Sequence, residues 1–125
     1  MDEAVKRLAA PDLRVHVVWV PILPDDDAQA AARAARRFVD ARVTHYWDPD
    51  RALGLSLGAR LGLPPRDPGR VTGVAWDVYL LYGRGARWAD APAFWMHQLD
   101  DVPLSKAPRL DGAALLQRLG ALTAR

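Results

Sequence analysis

The chain contains no cysteine. That excludes a disulfide framework, a zinc–thiolate site and any thiol chemistry performed by this chain itself. It also carries little excess charge: 17 basic against 15 acidic residues leave a net charge of +2. Both signs are spread over residues 1–62 and 63–125, so no basic arm or acidic tail forms, and a nucleic-acid partner is not expected. No run approaches the roughly 18 apolar residues of a membrane span, and the start MDEAVKRLAA lacks the apolar core of a signal peptide. As written, the expectation is a soluble, cytoplasmic product with no membrane contact; a periplasmic or anchored location would require a segment before Met1. Only two serines, Ser56 and Ser105, and three histidines, His16, His45 and His97, are present. They give neither a nucleophile–histidine order nor a close histidine pair, so no metal and no cofactor are expected.

What is present suits a globular domain. Half of the 125 residues are hydrophobic and 26% are charged, which fits one domain over 1–125. Asp2–Ala10 has the spacing of a short helix, stopped by Pro11. Val15–Val20 is β-branched and apolar on both alternating faces, as in a strand covered on both sides. Asp25-Asp26-Asp27 provides an N-cap and first-turn carboxylates for an Ala-rich helix to Val39, with Ala28, Ala31, Ala35, Phe38 and Val39 on one face. Arg42–Trp47 is a second strand candidate. Asp48-Pro49-Asp50 opens a further helix to about Leu61, with Asp48 as N-cap, Gly54 and Gly58 on one close-packing face and Gly62 as the C-terminal cap. Leu63–Gly73 is a loop. Val74–Tyr82 and Ala93–Leu99 read as an antiparallel hairpin around the turn region Gly83–Asp90. Asp100–Pro108 is irregular, and Asp111 caps a last helix with a stripe of Leu115, Leu116, Leu119 and Leu122.

This order is α/β with a parallel half and a hairpin half. In layout the chain resembles the thioredoxin superfamily, nearest to its thiol:disulfide exchange and peroxiredoxin-like branch. The residues that carry the likeness are Val15–Val20, Asp26–Val39, Val43–Trp47 with Asp48-Pro49-Asp50, Ala75–Tyr82 with Phe94–Leu99, and Asp111–Leu122. The resemblance implies one mixed sheet with helices on both faces. It also shows two departures: the Cys-x-x-Cys of the redox helix is missing, and Ala75-Trp76-Asp77 stands where the family has its cis-proline. Asp2–Ala10 then aligns with the end of the redox helix, so the central strand of the sheet and the cysteine pair would lie upstream of Met1. In another alignment Val15–Val20 is itself the central strand, with Pro21-Ile22-Leu23-Pro24 in place of the cysteine motif.

From this layout two functions are expected. One is a redox-inactive binding or scaffolding module; the other is a fragment of a thiol:disulfide oxidoreductase whose cysteines lie upstream. The ligand-binding candidates are Trp19, Trp47, Trp76 and Asp77. In open α/β sheets the ligand crevice lies beyond the carboxyl ends of parallel strands, where Trp19 and Trp47 converge. Trp76 and Asp77 occupy the cis-proline position. The tryptophans could equally fill core and edge, and Asp77 could serve a local turn. Backbone groups left without the central strand must find partners, which suggests direct closure or a homodimer, with Phe94–Leu99 as a second contact surface.

Overall fold

A computed structural model describes residues 2–63, 73–100, 102 and 106–124, and the side chains of all of these except 2–4. The loop expected over Leu63–Gly73 therefore lies largely outside the described residues, as does Ser105. The chain divides into two compact units, Leu13–Trp76 on one hand and Met1–Asp12 with Asp77–Arg125 on the other.

In the unit Leu13–Trp76, β1 (Val15–Trp19) and β2 (Val43–Trp47) pair in parallel, with Val15 opposite Val43 and Trp19 opposite Trp47. This is the pairing the sequence predicts. Between them runs α2 (Ala28–Ala35), started by Asp27, whose Oδ1 accepts the Ala30 N–H at 2.7 Å. The helix is shorter than the expected run to Val39. Arg37 and Phe38 donate to the carbonyls of Ala34 and Ala35, three residues back, and this tightening ends the helix. Phe38 then turns edge-on to His45 at 6.0 Å, whereas Val39, expected on the buried face, is 76% exposed.

The third helix, α3 (Ala52–Leu61), starts later than the Asp-Pro-Asp signature implies. Arg51 is its N-cap residue, in the left-handed region at φ 57°, and it makes no side-chain cap bond. The capping is done by Asp48 from outside: Oδ1 accepts from Ala52 N–H at 2.9 Å, and Oδ2 from Leu53 at 2.9 Å and Gly54 at 3.3 Å. Asp48 therefore satisfies the first N–H groups of α3 without being its N-cap residue, a position the sequence assigns to it and the structure gives to Arg51. Gly62 ends α3 at φ 63°, and Leu63 N–H reaches back to the Gly58 carbonyl at 2.9 Å, a glycine-terminated Schellman arrangement. Gly54 and Gly58 admit the backbone of residues 73–75 to the helix face. Ala75 N–H donates to the Gly54 carbonyl at 2.8 Å, and a Cβ on Gly58 would overlap the Gly73 carbonyl.

In the other unit, β3 (Val78–Leu81) and β4 (Phe94–His97) form an antiparallel ladder with Tyr79 opposite Met96 and Leu81 opposite Phe94. Both are shorter than expected, but the hairpin is the one predicted. Directly opposed residues share a face. Leu81 and Met96 accordingly join Leu115 of α4 (Gly112–Thr123) in a core that Tyr79, Phe94, Leu110, Ala114, Leu119 and Leu122 surround. Asp111 caps α4 as expected, accepting the Ala114 N–H at 2.7 Å. The short α1 (Asp2–Arg7) packs on α4 and buries Val5.

His97 secures the end of this ladder with four polar groups. Its backbone N–H donates to the Pro108 carbonyl and its own carbonyl accepts from Leu110 N–H. Its ring Nε2 contacts the Ala107 carbonyl at 3.1 Å, while Nδ1 accepts the Leu99 N–H at 3.1 Å. The ring is fully buried, and its partners fix the neutral Nε2–H tautomer.

The strands thus form two two-stranded ladders, one parallel and one antiparallel. A single mixed sheet, as the resemblance implied, needs a strand joining the two pairs, and the described residues supply none.

Candidate functional site

The carboxyl end of the β1–β2 ladder holds two of the four candidate residues. Trp19 and Trp47 face each other in the register, both half-buried. Trp19 turns its indole toward β2, where Nε1–H donates to His45 Nδ1 at 3.2 Å and the rings stack at 6.0 Å and 15°. His45 Nε2–H in turn donates to the Phe38 carbonyl at 2.8 Å. Trp19, His45 and Trp47 share a face because side chains alternate along a strand and parallel partners stay in phase. On the opposite face His16 Nδ1 meets the Tyr46 hydroxyl at 3.1 Å.

Two carboxylates shape the loops that leave this end. Asp26 Oδ2 accepts from the N–H groups of Ile22 at 2.8 Å and Leu23 at 2.7 Å. These bonds, Leu23 first and Ile22 second, hold the Asp26 carboxyl below its ordinary 3.8 against a small opposing effect of burial. Asp48 meanwhile engages the first three N–H groups of α3, the donors that a helix start would otherwise offer an anion.

Trp76, half-buried, follows directly on the 73–75 stretch that packs against α3. Asp77 belongs to the other unit. Its backbone is left-handed at φ 48°, which aspartate tolerates better than most residues, and its carbonyl accepts the Gln98 N–H at 2.9 Å, extending the β3–β4 ladder. The Asp77 side chain is exposed. Its charge adds to burial, the larger cause, in raising the Tyr79 hydroxyl above 10.0.

Of the four candidates, then, Trp19 and Trp47 are brought together as opposed residues of one ladder, and Asp77 serves a turn at the start of the other. His45 and Asp26 were not singled out from sequence. The parallel register would have placed His45 beside Trp19, but Asp26 is indistinguishable in sequence from its neighbours Asp25 and Asp27. Among the described residues no group of three or more His, Asp or Glu is placed to hold a metal ion. No described helix is long and apolar enough to cross a membrane. Compared with protein-family models, curated proteins and solved structures, the chain matches none.

Proposed function

We propose that this chain is a redox-inactive, thioredoxin-like binding or scaffolding module whose ligand contact lies at the carboxyl end of the β1–β2 ladder. The observation that carries this reading is the engagement of the polar groups there. Trp19, His45, Asp26 and Asp48 all hydrogen-bond to the protein's own structure, an arrangement suited to a rigid contact surface rather than to proton transfer. The chain also has no thiolate to act as nucleophile.

The test uses insulin in two ways. With dithiothreitol, insulin precipitation should run no faster with the protein than without it. With alkylated insulin chains, which cannot be reduced, tryptophan emission should shift on titration, and the shift should shrink in Trp47→Phe. Acceleration of precipitation overturns the redox-inactive reading, and an unchanged emission overturns the binding site.

One observation favours the second reading, an oxidoreductase fragment: the strands form two separate ladders where the thioredoxin layout has one sheet with a central strand. In that reading an upstream segment supplies the strand and a cysteine pair. In-frame DNA encoding Cys-x-x-Cys before the start codon, with insulin reductase activity in the lengthened chain, supports it. An out-of-frame upstream sequence rejects it.

A further inference from the structure

The β1–α2–β2 unit has two unlike ends. Because β1 and β2 are parallel, the connection into α2 leaves from their carboxyl end and the connection out of α2 returns at their amino end. Each connection displays one aliphatic side chain. Leu23 is 66% exposed at the carboxyl end and Val39 is 76% exposed at the amino end, the two most exposed large apolar residues of the described chain. Leu23 is held in place by the two backbone bonds to Asp26; a fixed turn of this kind loses little conformational freedom on contact.

The charges around these two residues have opposite signs. At the carboxyl end Asp25, Asp27 and, after β2, Asp50 are exposed. Asp27 and Asp48 account for the helix capping, so Asp25 and Asp50 are additional. At the amino end Arg36 and Arg37 are exposed. The only nearby carboxylate of that connection, Asp40, forms a two-pronged pair with Arg42, at 2.9 Å to Nε and 2.8 Å to Nη2, so the two cancel and the basic character remains.

We propose that this unit self-associates head to tail, with the acidic end carrying Leu23 in one copy docking on the basic end carrying Val39 in the next. The occupant is a second copy of this chain because the two ends complement each other in charge and each supplies one apolar contact. This inference does not depend on the thioredoxin-like reading. Such a contact joins two different surfaces and leaves one of each kind open, so it propagates unless the rotation closes a ring. Opposed exposed charges are screened by salt, so association is strongest at low ionic strength.

The test is sedimentation of the full chain over a range of concentrations at about 0.02 M and about 0.5 M salt, conditions on either side of a Debye length of roughly 10 Å. The low-salt mass should rise with concentration, and the heavier species should be lost at high salt. Arg36→Gln with Arg37→Gln leaves a chain with only an acidic end, and Asp25→Asn with Asp50→Asn one with only a basic end. Each alone should be monomeric, and an equimolar mixture should give a species of twice the chain mass that grows no further. Leu23→Ser should weaken association without changing any charge. Circular dichroism matching the unaltered chain confirms that the variants fold. A chain that stays monomeric at low salt, a dimer strengthened by salt, or failure of the two variants to pair overturns the proposal.

Discussion

Trp19 gives its indole Nε1–H to His45 Nδ1 at 3.2 Å, and His45 holds the Phe38 carbonyl with its other nitrogen at 2.8 Å. One imidazole thus links β1, β2 and the turn that ends α2. Trp19→Phe removes the donor and some ring contact and should cost about 1–2 kcal/mol. His45→Phe should cost a similar amount, and the double variant less than the sum, with a coupling of at least 0.5 kcal/mol. Urea unfolding of the four proteins checks this, and strict additivity would mean that the bond contributes nothing.

Asp48 stands outside the helix it caps, so its removal should act on α3 rather than on the ladder. Asp48→Ala leaves three first-turn N–H groups without their acceptor and should lower stability by about 1–2 kcal/mol. Amide exchange should accelerate at Ala52, Leu53 and Gly54 while the β2 amides keep their protection.

Two glycines should respond to alanine in opposite directions. Gly58→Ala drives a methyl into the Gly73 carbonyl and should destabilise by about 1–3 kcal/mol. Gly120, within α4, has open space where a Cβ would stand, and Gly120→Ala should stabilise by about 0.5–1 kcal/mol through helix propensity. Thermal unfolding midpoints moving down and up respectively are the expected result.

The pH dependence has an acid and an alkaline component. Backbone donors favour the charged form of Asp26, so the unfolded chain takes up this proton at higher pH than the folded one. The resulting stability is in place above the ordinary value of 3.8 and disappears as pH falls through the folded value. Asp26→Asn should flatten that part of the acid limb. For Tyr79 the neutral form is favoured in the fold, so its contribution is complete below 10.0 and is lost as pH rises through the folded value. Asp77→Asn should bring the Tyr79 titration, followed by tyrosinate absorbance, part of the way back toward 10.0, because burial rather than Asp77 is the larger cause.

The sequence was most informative where a signal was local and periodic. The β-branched run at Val15, the cap at Asp111 and the terminating Gly62 each depend on neighbours within a few residues, and all three appear as read. The parallel pairing of β1 and β2 followed from connection rules that hold whatever the side chains are. Longer-range features were less accessible. α2 ends where Arg37 and Phe38 bond three residues back, although periodicity carries the helix on to Val39. The start of α3 is decided by a left-handed Arg51, a conformation that residue type does not announce. Trp19 and Trp47 were placed at one end of one ladder, but the partner that orients Trp19 could be found only from the register.

The ring of His97 touches both Leu99 and Ala107, so one buried side chain acts as a clasp between the residues just after β4 and those approaching α4. Replacing the ring removes both side-chain contacts at once and leaves only the backbone bonds of His97 to Pro108 and Leu110 to join β4 to the approach to α4. A single substitution at His97 should therefore loosen the end of β4 and the approach to α4 together.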